Sequence, residues 1–157
     1  MSDLTHPPTL VQVARWLQEA AGIKFHGGND AISLRDSSGR EVLSLRSALD
    51  GQAVALMATV SPLPLDARLA ALVQMHLLRL CADPHALDGM RVALSGDGQR
   101  VVLLDPALQV QNAQALIERC ELAVEMAKAL GAEMEVLAAE PSLSAVQVRE
   151  AVHALWP

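Results

Sequence analysis

The chain has 157 residues, 52% of them hydrophobic but only 2% aromatic, so its length and composition predict one domain with an aliphatic core. Its formal net charge is −6 at pH 7 and its basic residues do not cluster, which argues against nucleic acid or an anionic membrane as a partner. The sequence shows neither a signal peptide nor an apolar run of roughly 18 residues, so we expect a cytoplasmic protein that does not enter the membrane.

The first part of the chain predicts an amphipathic helix followed by a hairpin. Apolar residues recur every three or four positions over Thr9–Ala21, Thr9 is suited to cap the start of the helix, and Gly22 is suited to end it. Apolar and polar residues alternate over Ala31–Arg35 and again over Glu41–Arg46. The intervening Asp-Ser-Ser-Gly sequence favours a tight turn, so we expect two antiparallel strands.

A third strand and a second helix follow, and both are unusually apolar. Gly51–Val60 carries apolar or small residues on both faces, which favours a central position in the sheet. Pro64 suits the first turn of a helix, and Pro64–Cys81 is apolar around most of its circumference. Such a helix needs cover on more than one side. Its own sheet supplies one side, and the simplest source of the other is a second copy of the chain.

The second half of the chain predicts another hairpin and a long helix. Met90–Leu94 and Arg100–Leu104 alternate in polarity on either side of a Gly-Asp-Gly turn. Gln111–Leu130 combines an apolar stripe with a glutamate-rich outer side. Gly131 follows directly and is expected to end this helix.

The predicted fold class is α+β, in the order α-β-β-β-α-β-β-α, with a mostly antiparallel twisted sheet flanked by helices. Residues 133–140 are compatible with a short strand or a linker. A Ser-x-x-Gln capping box then opens an extra C-terminal helix over Ser144–Trp156. We therefore expect residues 1–157 to form a single domain, with a core of about 9–131 and a C-terminal extension of 132–157.

Metal-ligating and thiol residues do not form a recognisable site in the sequence. His76, Cys81 and His85 are the nearest to a zinc cluster, but a structural zinc requires four ligands and no fourth is in sight. Cys81 and Cys120 both fall within apolar helical patterns, so we expect two buried free thiols and no disulfide.

Catalytic and cofactor motifs are also not recognised. The glycine pairs near residues 27 and 97 lack the sequence context of a phosphate-binding loop, and no serine lies in a G-x-S-x-G motif. Asp97 and Asp105 flank the second hairpin, where carboxylates are usually solvated turn residues. We therefore expect no enzymatic activity, no cofactor and no metal.

Three segments carry a resemblance to a known family. They are LPLDARLAALVQMHLLRL (63–80), GMRVALSGDGQRVVLLDPAL (89–108) and NAQALIERCELAVEMAKAL (112–130). In residue type and element order they resemble the class I type III secretion chaperones, the Tir-chaperone-like family, over roughly residues 10–130. The motifs are patterns of residue type and include no catalytic signature.

The resemblance implies a homodimer that binds the N-terminal segment of one or more secreted effector proteins. The dimer would keep the segment extended and deliver it to the secretion apparatus. The ATPase of that apparatus is a further expected partner. The helix over 64–81 and the strand after it would pair two copies. The residues that we expect at this dimer interface are Leu69, Leu72, Val73, His76, Leu77, Leu80 and Val92.

An extended effector segment would add to an open sheet edge and place alternate apolar side chains in grooves. The apolar positions that we expect to be exposed for such grooves are Leu17 on the first helix and Ile32, Leu34, Val42 and Leu45 on the first hairpin. For each of them, an ordinary role in the core is the alternative.

Two other functions are compatible with the sequence. One is a non-secretory α+β dimer with a regulatory or scaffolding role, which would co-purify with a transcription or signalling protein. The other is an enzyme or binding protein for a small ligand, which requires an enclosed pocket with convergent polar groups.

Overall fold

The computed structural model describes residues 7–22, 30–83 and 85–139. Its helices and strands follow the order α-β-β-β-α-β-β-α, which confirms the predicted α+β fold class; the predicted helix over Ser144–Trp156 lies outside the described residues. The elements are α1 (Leu10–Ala21), β1 (Ala31–Arg35), β2 (Glu41–Ala48), β3 (Ala53–Pro62), α2 (Ala67–Ala82), β4 (Arg91–Leu94), β5 (Arg100–Asp105) and α3 (Ala113–Ala139), with a short 3-10 turn (Leu49–Gly51) between β2 and β3.

The five strands form one antiparallel sheet in the order β1-β2-β3-β5-β4. β3 lies in the middle of this order, as its two apolar faces predicted. The short strands β1 and β4 form the two edges. Leu43 of β2 lies opposite Ala58 of β3, and Ala58 lies opposite Leu103 of β5, so these three residues share one face.

That face packs against α1 and α3 to form the core. Alternate residues of each strand point inward, and they meet the apolar stripes of the two helices. The largest fully buried side chains include Leu43, Leu45, Leu56, Leu103, Leu108, Leu116, Val13, Val54, Val73 and Val101. The core is thus aliphatic, in agreement with the composition.

The ends of α1 and α2 are set by side-chain caps. In α1 the Thr9 hydroxyl accepts a hydrogen bond from the backbone N–H of Gln12, and Gly22 adopts a left-handed conformation after the last turn, as predicted. In α2 the cap is Asp66, whose Oδ1 accepts from the N–H groups of Arg68 (2.9 Å) and Leu69 (3.0 Å). The helix therefore begins at Ala67 and not at Pro64.

α3 is longer than the sequence predicted. It continues through Gly131 to Ala139, so the expectation that Gly131 ends it was wrong, and residues 133–139 are helical, not a strand or a linker. Gly131 lies against β3: a Cβ placed on it would be 3.3 Å from the carbonyl oxygen of Val60. The glycine therefore serves close packing of the helix on the sheet. No described helix is long and apolar enough to cross a membrane.

Gly131→Leu is expected to lower the free energy of unfolding by about 1–3 kcal/mol, because the added side chain has no room between α3 and β3. Ala132→Leu is the matched control, since Ala132 is the next helical residue and is exposed. Urea denaturation followed by circular dichroism measures both. Equal stability of the two variants would contradict the close-packing role of Gly131.

Candidate binding surfaces

Helix α2 lies beside the edge of the sheet, where it packs against α3 and β4. Its residues Val73 and Leu77 point into the core and are buried. We therefore remove these two from the predicted dimer interface, because the chain itself covers them. The sequence could not separate them from their neighbours, since α2 is apolar on nearly every side.

The other residues predicted at the dimer interface are partly exposed. Leu69, Leu72, Leu80 and Val92 all retain some accessible surface. The Nε2 atom of His76 lies 3.1 Å from Oε2 of Glu133 and so connects α2 with α3. Leu80 and Val92 also pack against the margin of the core, so they too are partly covered by the chain itself.

A groove that the sequence did not single out lies between α2 and β4. Leu78 and Leu94 are exposed at its rim, with 70% and 43% of their surface accessible. We call it the α2/β4 groove: it has a volume of about 340 Å³ and is lined by Gln74, Leu77, Leu78, Cys81, Val92, Ala93 and Leu94. The spacing of Gln74, Leu78 and Cys81, at i, i+4 and i+7, is the signal that could have identified it.

The two cysteines have different environments. Cys81 is exposed in the α2/β4 groove, and its Sγ lies 3.8 Å from the carbonyl oxygen of Val92; the expectation that it is buried was wrong. Cys120 is buried on α3, and burial raises the pKa of its thiol to about 11. Both thiols are free, and Cys120 stays protonated and unreactive at neutral pH.

The residues predicted to bind an effector are divided between the core and its margin. Leu17, Ile32 and Leu45 are buried, so the expectation that they are exposed was wrong. All three belong to the hydrophobic core, which is the alternative role that the sequence left open for them. Leu34 and Val42 are partly buried and pack at the edge of the core.

Strand β1 leaves one sheet edge open within the described residues. It pairs only with β2, and a shift of register between Leu34 and Arg35 sets Arg35 opposite Glu41 and leaves Val42 without a partner. Leu34 and Val42 therefore lie together near the end of this edge. No strand of the described residues pairs with the outer backbone groups of β1, and a sheet edge of this kind can accept an added strand.

A polar cluster lies at the end of the sheet where β5 leads toward α3. Arg119 donates from Nε to Oδ2 of Asp105 (2.9 Å), from Nη1 to Oδ2 of Asp88 (2.6 Å) and from Nη2 to the carbonyl oxygen of Asp88 (3.1 Å). Asp105 is only 8% exposed, so the expectation of a solvated turn carboxylate was wrong. Its partner lies on another element, 14 residues away, and no local pattern signals this pairing.

The cleft beside this cluster has a volume of about 580 Å³ and is open to solvent. Its charged lining residues are Asp88, Arg91, Asp105, Glu118 and Arg119. Because Arg119 is held by both aspartates, the cluster connects β5, α3 and the loop before β4, which is a structural role. Within residues 7–22, 30–83 and 85–139, no three His, Cys, Asp or Glu side chains are placed to hold a metal ion.

Comparison with known proteins gives a match in fold and none in sequence family. No protein-family model matches the sequence, and no curated protein does. Among solved structures, the chain is similar to a chain of the heterodimeric ExoU–SpcU complex from the type III secretion system of Pseudomonas aeruginosa, with a TM-score of 0.55 and 21% sequence identity. The match covers 75% of this chain and 93% of that chain. This chain therefore shares its fold with a component of a type III secretion complex.

Proposed function

We propose that this protein is a cytoplasmic, non-enzymatic chaperone of type III secretion, of the class I type, that binds the N-terminal segment of one or more secreted effectors. The observation that carries the proposal is the shared fold with a chain of the ExoU–SpcU complex, nearly all of which is covered. The resemblance of segments 63–80, 89–108 and 112–130 to this family supports it independently. We propose a single domain over residues 1–157, no cofactor, and the secretion-apparatus ATPase as a further partner.

The open edge of β1 is the proposed site of effector binding. A segment added there would form backbone hydrogen bonds with β1 and lay alternate side chains near Leu34 and Val42. Leu17, Ile32 and Leu45 support this edge from the core side and are not themselves available. A segment bound in this way is held extended, in agreement with the proposed role of keeping it competent for secretion.

The α2/β4 groove is the proposed site of homodimer formation. Leu78 and Leu94 expose apolar surface there, and Val92 also lines the groove. The other predicted interface residues that keep accessible surface, Leu69, Leu72, His76 and Leu80, recur at a helical spacing that sets them on the side of α2 away from Leu78. A second copy would bury Leu78 and Leu94 and so lower the free energy by removing apolar surface from water. This interface uses the side of α2 that carries Leu78, while Val73 and Leu77 remain buried within each copy.

Affinity purification from the native host tests the proposed function. We expect the protein to co-purify with a secreted effector, and about the first 100 residues of that effector to be sufficient for binding. Leu34→Asp should weaken this binding at least about tenfold, equivalent to about 1.4 kcal/mol. Leu49→Asp is the matched control, because Leu49 is exposed at the β2–β3 turn, away from the β1 edge.

Circular dichroism must show that both variants are folded. A transcription or signalling protein recovered in place of an effector would contradict the secretion role and favour a regulatory dimer. Effector binding that survives Leu34→Asp unchanged would place the binding site away from the β1 edge.

A further inference from the structure

The face of the sheet opposite the core, which we call the open face, has a pattern of its own. One row of residues on this face crosses all five strands in register: Ser33, Ser44, Met57, Leu104 and Arg91. Thr59, Val102 and Ala93 form the adjacent row. Met57 and Leu104 keep some accessible surface and do not belong to the core cluster that α1 and α3 cover, whereas Val102 beside them is only 5% exposed. Met57 and Leu104 therefore form an apolar strip at the centre of the open face, outside that core cluster.

Arginines surround this strip. Arg35, Arg46 and Arg100 occupy open-face positions and are exposed, so three of the 12 basic residues of a chain with net charge −6 lie here. Arg91 shares this face by register but lines the cleft beside Asp88 and Asp105. The carboxylates on this face are Glu41, which accepts a hydrogen bond from the Ser33 hydroxyl, and Asp97 in the β4–β5 turn. The open face thus has an excess of positive charge on an acidic protein.

The carboxylates leave most of the arginines unneutralised. Asp97 lies 3.9 Å from Arg100, and its Oδ1 is already engaged by the Ser95 hydroxyl and the N–H of Gln99. Arg35 donates to the carbonyl oxygen of Gly39. Neither Arg46 nor Arg35 forms an ion pair with any residue of the described ranges. Their charges are available to a partner.

Ser44 supplies an independent observation. Its side chain is 1% exposed, and its hydroxyl has no hydrogen-bond partner among the described residues. It lines a small cavity of about 150 Å³, whose charged lining residues are Arg46, Arg100, Glu41 and Asp97. An unpaired buried hydroxyl is destabilising, so its position on this cavity indicates that an acceptor from a ligand completes it.

We propose that the open face binds an acidic segment of a partner polypeptide, with carboxylates near Arg46 and Arg100, an acceptor oxygen on Ser44, and apolar side chains on the strip formed by Met57 and Leu104. The inference rests on the proposed function, because it assigns a chemical class to part of the effector: an acidic sequence interspersed with apolar residues. The positive charge attracts the segment, and the apolar strip holds it.

A synthetic peptide tests the open face without an identified effector. The full chain is titrated into a fluorescein-labelled peptide of alternating glutamate and leucine, and anisotropy is recorded at several salt concentrations. We expect binding that weakens as salt is added, and no comparable binding of a lysine–leucine peptide of the same length. Equal binding of both peptides, or no binding of the acidic one, would overturn the proposal.

Matched variants locate the site. Arg46→Glu is expected to weaken binding of the acidic peptide by about tenfold or more, while Arg15→Glu makes the same charge change on exposed α1, on the other side of the sheet, and leaves binding nearly unchanged. Ser44→Ala is expected to weaken binding about threefold to tenfold without loss of stability, because it removes an unpaired hydroxyl. Equal effects of Arg46→Glu and Arg15→Glu would overturn the proposal.

Three further outcomes separate this inference from the proposed function. If Arg46→Glu changes the oligomeric state in light scattering and not peptide binding, the open face is a contact between copies and the inference fails. If effector capture is lost in Leu34→Asp but unchanged in Arg46→Glu, the inference fails and the chaperone role stands. If the acidic peptide binds as expected but no effector is ever captured, the inference stands and the proposed function fails.

Discussion

Arg119→Met is expected to lower the free energy of unfolding by about 3 kcal/mol, because it leaves the carboxylate of Asp105 buried and without its charged partner. Arg119 is the single side chain that holds both Asp88 and Asp105, so its loss also releases the loop before β4 from α3. Urea denaturation monitored by circular dichroism measures the change.

Two controls separate the buried pair from the exposed one. Asp88→Asn removes the exposed partner, whose side chain is 65% accessible, and should cost less than about 1 kcal/mol. Arg119→Met combined with Asp105→Asn removes both charges of the buried pair and should recover part of the lost stability. An Asp88→Asn loss equal to that of Arg119→Met would show that the buried carboxylate is not the source of the effect.

Leu78→Asp is expected to convert the proposed homodimer to a folded monomer. Leu78 is exposed in the α2/β4 groove, so the substitution leaves the core of each copy unchanged but places a charge in the proposed interface. A loss of about 2 kcal/mol in association corresponds to roughly 30-fold weaker dimerisation. Light scattering after size exclusion at micromolar concentration measures the mass of the species.

Neighbouring leucines provide the controls for this experiment. Leu77→Asp places a charge at a residue only 5% exposed and should unfold the chain. Leu65→Asp changes a fully exposed residue outside the groove and should neither unfold the chain nor dissociate the proposed dimer. A Leu78→Asp protein of wild-type mass would exclude the α2/β4 groove as the interface. A wild-type monomer at this concentration would contradict the homodimer itself.

Local sequence patterns were sufficient for most of the fold. The caps of α1 at Thr9 and Gly22, the two hairpin turns and the central position of β3 depend on residues close together in the chain, and all were predicted. Gly131 was misinterpreted because a glycine that ends a helix and a glycine that permits close packing look the same in one sequence. Only the position of Val60, 71 residues away, decides between them.

The binding surfaces were harder to predict for a physical reason. Apolar residues occupy nearly every side of α2, so their spacing does not show which side faces the core. The sequence therefore could not distinguish the buried Leu77 from the exposed Leu78. On the first hairpin, alternation identified one apolar face correctly, but it does not show whether that face meets the core or a partner. Ile32 and Leu45 meet the core. The burial of Asp105 could not be predicted either, because the Arg119 side chain that pairs with its carboxylate is brought near only by the tertiary structure.

The length of β1 sets a limit on what can pair with it. The strand has five residues, and at about 3.3 Å per residue it offers roughly 17 Å of backbone edge. An incoming polypeptide therefore finds only about five of its own residues in backbone register before the edge runs out. Strand addition at this edge would depend on main-chain hydrogen bonds more than on side chains, so unrelated extended sequences would bind there. Any discrimination between the proposed effectors must then come from contacts outside these five residues.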